Sequence, residues 1–249
     1  MQMAVNFGSR RKVFASAKTD ESAYGTVQAI DSMFRVAGEP FNLTSELIPD
    51  TDLVSGAEEA TKQDELARAL GTQWVFPRAH AHEIATFCGA YGLGAQAVAA
   101  SGTGYKHTFT PKTAKEMSSF TAEELIIPGT LRYRYPGCLV TGFELSFSRK
   151  NWWNLSVDII GSGTRTSLGS DPSGSEIEPL SPAFKAGDTK IFMGTAYSGT
   201  HAQGVSSMSS STTITAKVVS LRHRFNNNTP DADLYEPGGG LVKTRGERD

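Results

Sequence analysis

The sequence predicts a mainly β protein with many turns and one helix. Three observations carry this. Glycine, serine and threonine are frequent across the 249 residues, and helix formers are modest. Residues 135–161 alternate apolar and polar side chains along two arms joined by a polar link, the pattern of a β-hairpin. One stretch, 77–94, has apolar residues spaced three and four apart, the pattern of a helix with one buried face.

Composition sets the outer bounds. Hydrophobic residues make up 39% and charged residues 20%, which permits a packed globular chain of one large or two ordinary domains. The net charge of −2 gives no general affinity for nucleic acid or membrane. No apolar run is long enough to span a bilayer. The N-terminus lacks the apolar region of a secretory signal, so synthesis in a cytoplasm is expected. Cys88 lies in the predicted helix and Cys138 in a predicted strand, and both are expected as buried free thiols.

Residues 1–26 read as an irregular arm. Its first 18 residues carry Arg10, Arg11, Lys12 and Lys18 and no acid. It is either a frayed, solvated terminus or an arm that reaches an acidic surface on a neighbouring subunit. A β module is expected over 27–165. Val27–Val36 and Phe41–Leu47 are its first strands, separated by the turn residues Gly38-Glu39-Pro40. Residues 46–65 hold seven acids against Lys62, a net charge of −6. This stretch is either a solvated loop or a negative lining for a passage that carries DNA.

The helix over 77–94 starts near Pro77, which suits a first turn, and stops at Gly92 and Gly94. Its apolar face is Ile84, Phe87, Cys88 and Tyr91. His80 and His82 are two residues apart, so they point to different sides of a helix and suit one metal poorly. Two surface histidines are expected. Ser101-Gly102-Thr103-Gly104 lacks the lysine of a phosphate loop and reads as a turn. Tyr105–Thr110, a segment opening at Phe120, and Leu131–Tyr135 follow as strands.

The hairpin is the best-patterned element. Leu139, Phe143, Leu145 and Phe147 are expected on one face of its first arm, and Trp153, Leu155, Val157 and Ile159 on one face of its second. Ser148-Arg149-Lys150-Asn151 is the link. The opposite face would carry Gly142, Glu144, Ser146, Asn154, Ser156 and Asp158.

Residues 161–187 are rich in glycine, serine and proline, and a linker is placed at 166–187. A second β segment is expected over 188–230, with strands at Lys190–Ser198 and Thr213–Phe225. Its stretch 218–228 can be laid on 140–150, so that Val218, Leu221 and Phe225 match Val140, Phe143 and Phe147. That match is either a partial internal repeat or chance. A polar C-terminal tail is expected over 231–249.

These features in this order resemble a known family. They are the polar arm, the helix after Trp74-Val75-Phe76-Pro77, the Gly102–Pro111 strand rich in threonine, Phe120-Thr121, and the hairpin opening Tyr135-Pro136-Gly137-Cys138-Leu139-Val140. The sequence resembles the tail tube proteins (major tail proteins) of long-tailed bacteriophages, well over about 70–165 and loosely over 185–230. The resemblance implies a β-sandwich or partial barrel with one flanking helix and long loops and arms. It implies a structural virion protein, made in the host cytoplasm, that self-assembles into hexameric rings stacked as a tube. Its partners would be other copies of itself, the tape-measure protein and other tail proteins. Double-stranded DNA would pass through without specific contacts. No cofactor, metal or catalytic residue is implied. Glu144 and Asp158 are the candidate lumen-facing charges, and Arg10, Arg11 and Lys12 the candidate inter-ring arm. The sequence departs from the family at its C-terminal end, where no closing hairpin of a second module is found.

Three other functions fit parts of the sequence. A carbohydrate-binding β-sandwich would stack sugars on Trp152, Trp153, Tyr133 and Tyr135. An enzyme would use His80, His82, Glu83 or His107, but no nucleophile, base and oxyanion set stands at recognisable spacing. A terminator or baseplate ring of the same tail is a near relative of the tube reading.

Overall fold

The computed structural model describes residues 12–49, 63–101, 104–111, 117–128, 130–169, 182–189 and 219–227, with four two-residue strands in two pairings between 192 and 213. The expected arm residues Arg10 and Arg11, most of the acidic stretch, much of the linker and the C-terminal tail lie outside the described residues.

The strands in chain order are β1 (Lys12–Ala15), β2 (Ser32–Phe34), β3 (Leu43–Pro49), β4 (Gln63–Phe76), β5 (Gly94–Ser101), β6 (Gly104–Pro111), β7 (Ser119–Ile127), β8 (Leu131–Ser148), β9 (Asn154–Gly161) and β10 (Thr166–Leu168). Four two-residue strands, β11 (Phe192–Met193), β12 (Ala196–Tyr197), β13 (Met208–Ser209) and β14 (Thr212–Thr213), precede β15 (Ser220–Asn226). The main sheet runs β2-β1-β7-β8-β9-β4-β3, with β10 and β15 also on β8. It curls into a half-barrel, and the fold is mainly β with one helix, as expected.

β8 is the spine. One of its edges pairs first with β7 (Leu139 to Leu131) and then with β15 (Gly142 to Ser148). Its other edge pairs with β10 at Arg132–Arg134 and then with β9 at Leu139–Ser146. The predicted hairpin is therefore β8–β9, with its link closing at Lys150, whose φ is +69°.

The core face differs from expectation at one residue. A bulge between Val140 and Gly142 resets the alternation. Val140, opposite Ile159, therefore belongs to the core cluster together with Phe143, while Leu139 pairs with Ile160. Leu155, Val157 and Ile159 are buried in the core as predicted.

The core is aromatic. Trp74, Phe34, Phe41, Phe76, Phe87, Tyr91, Phe120 and Tyr135 pack together. Trp74 is fully buried and its Nε1 donates to the Pro40 carbonyl at 2.6 Å, so its one polar group is satisfied. Phe41 stacks on Tyr135 at 4.2 Å, and Trp74 meets Phe87 edge-on at 5.4 Å. Such pairs contribute about 0.5–1.5 kcal/mol each beyond area burial.

The helix lies across this core. It starts four residues after Pro77, as a short α segment (Ala81–Glu83), and continues as a π-helix (Ile84–Leu93). Phe87, Cys88 and Tyr91 are buried and Ile84 packs against the core, which is the predicted face. Gly92 allows the close approach to β8: a Cβ there would sit 2.9 Å from Phe143 Cε1. Gly94, at φ +109°, ends the helix.

The N-terminal segment is not wholly irregular. β1 is a strand inside the main sheet, with Val13 facing the core and Lys12 exposed. Glu21 fastens the loop after it. Its carboxylate accepts from Thr121 Oγ1 at 2.8 Å, Gly137 N at 2.9 Å and Gly25 N at 3.0 Å. The first predicted strand is accordingly short, at 32–34, because the preceding residues form this loop.

Candidate functional site

The features that stand out are surfaces and strand edges. Alternation along β8, β9 and their neighbours gives the sheet a polar outer face. Register places Glu144 opposite Ser156 and Gly142 opposite Asp158, so both predicted acids lie on it. Gln73 of β4 joins them, and its Nε2 donates to Asp158 Oδ1 at 2.8 Å. β15 brings Arg224 opposite Glu144 and Arg222 opposite Ser146. Arg222 Nη2 lies 2.5 Å from Glu144 Oε2. The face thus carries two acids and two arginines in balance, where the sequence suggested acids alone.

The arginines of β15 were not singled out from sequence. The signal was present in the match between 140–150 and 218–228. Direct comparison laid Leu221 on Phe143 and Phe225 on Phe147. In the structure the strands are antiparallel partners, so Phe225 faces Phe143 and Leu221 faces Phe147. Two apolar residues four apart read alike in both directions, and a pairing looked like a repeat.

One two-stranded ribbon runs out of the main sheet and a second is separate from it. β4 pairs with β9 only from Leu70 to Phe76, while Gln63–Ala69 pair with β3 alone among the described residues. β5 and β6 pair with each other over Gly94–Pro111 and, among the described residues, with no other strand. Isolated two-stranded ribbons are marginal in water, so such elements gain from a further contact.

At the other end of β4 the chain forms a closed joint of three segments. Ala79 N donates to the Trp153 carbonyl at 2.8 Å, Trp153 N to the Phe184 carbonyl at 2.9 Å, and Phe184 N to the Ala79 carbonyl at 3.0 Å. Residues 182–189, expected within the linker and the start of the second segment, thereby dock on the hairpin. Trp152 and Trp153 part as neighbours on an extended chain must. Trp153 packs on Phe147 at 4.6 Å and donates from Nε1 to Thr189 Oγ1. Trp152 is half-buried at the surface, with Arg78 and Lys185 at 5.3 and 5.2 Å from its ring centre. A groove of about 590 Å³ lies between Trp152, Asn151, Ser146, Glu144 and Arg222.

The four aromatics weighed as a sugar platform are dispersed. Tyr135 is buried against Phe41, Trp153 is packed on the core, and Tyr133 lies under Arg165 at 4.6 Å. The histidine pair is also placed otherwise than expected. His80 caps the helix: its backbone N–H donates to Glu83 Oε2 at 2.7 Å. His82 is half-buried and stacks on Phe34 at 5.2 Å, and burial lowers its pKa. Glu83 is buried, and desolvation pushes its pKa up to about 7. His107 lies on β6, away in sequence from all three.

Cys88 and Cys138 are buried free thiols, as expected. Burial pushes Cys88 up to about 12 and Cys138 also upward, so neither is a reactive thiolate at neutral pH. Glu123 is fully buried between β7 and β8 and is held by Arg134 at 2.6 Å and Arg132 at 3.3 Å. This ion pair joins two neighbouring strands and faces no cavity described above.

No family model matches this sequence. No curated protein matches it either.

Proposed function

We propose that this chain is a structural subunit that self-assembles into rings stacked as the tail tube of a long-tailed bacteriophage. One observation carries the reading beyond the sequence resemblance. Beside the curled sheet organised on β8 stand two ribbons, Gln63–Ala69 of β4 with β3, and β5 with β6, in which, among the described residues, each strand pairs only with the other. A sheet with such edges is completed by neighbours, and closing it across subunits removes the unpaired backbone groups. Polar, charge-balanced Glu144, Asp158, Arg222 and Arg224 on the outer face suit a wall that a polyanion passes without sticking. Lys12 is part of the sheet, so an inter-ring arm on this reading is confined to the residues before it.

Sedimentation velocity over a concentration series tests this. A tube subunit gives a discrete ring species and larger polymers as concentration rises. A single 26.7 kDa species at every concentration, with or without an initiating tail complex, contradicts it.

A further inference from the structure

We infer that the groove beside Trp152 is a binding site for an acidic saccharide, one built of uronic-acid units. The inference goes beyond the assembly reading and does not rest on it.

The groove holds about 590 Å³, within the roughly 300–1,000 Å³ usual for small-molecule sites. Its lining matches the chemistry of a sugar. A pyranose carries hydroxyls that both donate and accept around its rim, and C–H groups on its faces. Carboxylate, guanidinium and amide side chains serve such hydroxyls, since between them they accept and donate in planar forks. Glu144, Arg222, Asn151 and Asn154 supply all three, and Ser146 and Ser220 add hydroxyls. Exposed Leu221 and Pro77 offer apolar surface to the C–H faces.

Trp152 sets the charge of the ligand. It is no bare stacking platform, because the Arg78 guanidinium and the Lys185 ammonium lie over its ring. The ring holds both exposed cations beside the groove that it lines. Two cations held there suit a carboxylate carried on the sugar. Inside the groove Glu144 offsets Arg222, so the excess positive charge stands at Trp152. Asp188, on the docked segment, lines a neighbouring hollow with Ile84 and Trp153 and not this groove. A nucleic acid suits the groove less well. The Glu144 carboxylate would face its phosphates, and of the two aromatics in the lining Phe147 is buried, so bases have no row of rings to stack on.

The site is built before any ligand arrives. Trp152 N donates to Asn151 Oδ1 at 2.8 Å, Ala186 N to the Asn151 carbonyl at 2.9 Å, and Arg149 N to the Val219 carbonyl at 2.7 Å. Trp152 and Lys185 are also partners in an antiparallel bridge. These contacts fix the link, the docked segment and the start of β15 around one groove, which lowers the ordering cost of binding.

Isothermal titration calorimetry tests this on the full-length chain, kept below any concentration at which light scattering detects polymers. The probes are tri-galacturonic acid, its uncharged methyl ester, citrate and a short single-stranded DNA. Saturable binding of tri-galacturonic acid is expected, about tenfold or more tighter than that of the ester or of citrate. Arg78→Ala with Lys185→Ala, checked for native circular dichroism, should weaken it about tenfold or more. Arg165→Ala removes a cation over Tyr133 toward the other end of β8, and should change the affinity less than about twofold. The inference is overturned by no binding of tri-galacturonic acid, by equal binding of the ester or citrate, or by equal losses in the two variants. DNA bound more tightly than the saccharide makes the groove a nucleic-acid surface and overturns it as well. None of these results touches the tube reading, which the assembly measurements decide separately.

Discussion

Phe225 and Phe143 lie face to face across two strands that are distant in sequence, with ring centres 5.2 Å apart and planes 24° from parallel. This contact seats β15 on the spine strand and so brings Arg222 and Arg224 onto the outer face. It makes the far C-terminal segment part of the main sheet.

Phe225→Ala should therefore destabilise the chain by about 2–3 kcal/mol, the low end for a large-to-small change because the ring is only partly buried. Urea unfolding measures it. Val219, at 63% exposure, is the control, and Val219→Ala should shift stability by less than about 0.5 kcal/mol. Equal effects of the two changes would mean that β15 is not seated as described.

Gly92 should tolerate no side chain. A Cβ there meets the Phe87 carbonyl oxygen at 2.7 Å and the Phe143 ring at 2.9 Å, and the carbonyl belongs to the helix itself. Gly92→Ala is expected to cost about 1–3 kcal/mol in thermal or urea unfolding. Gly71 has nothing within 4 Å of its Cβ position, so Gly71→Ala should be close to neutral or slightly stabilising. A harmless Gly92→Ala would contradict the close packing of the helix on β8.

The sheet was legible where the pattern is long and regular. Leu155, Val157 and Ile159 alternate without interruption, and a strand follows directly. The first arm misled at Leu139 because a bulge inserts one residue, and a period of two carries no mark of that. β1 falls within the expected irregular arm because four residues, one of them Lys12, are too few to show alternation. The helix was visible from Phe87, Cys88 and Tyr91, but its start was set by His80 and Glu83 and not by Pro77. The surface around Trp152 was harder still. It depends on Arg78, Lys185 and Arg222, which only the folded chain brings together.

Glu83 makes a pH-dependent prediction. Burial raises its pKa from an ordinary 4.5 to about 7, so between those values the folded chain holds a proton that the unfolded chain has released. Stability from this group is complete below about pH 4.5 and is lost as pH rises through 7. The loss amounts to up to about 3 kcal/mol. Glu83→Gln keeps an oxygen to accept from His80 N and removes the titration. Its stability should lack this fall between pH 4.5 and 7, and at pH 8 it should be at least as stable as the wild type. Parallel pH profiles for the two proteins would show that Glu83 is not buried in its charged form.

The most direct measurement is negative-stain electron microscopy of the purified full-length chain at high concentration, alone and with an initiating tail complex. A tail tube subunit gives ring-shaped particles and hollow, regularly striated tubes of constant diameter. Fields that hold only small, separate particles under both conditions would contradict the assignment.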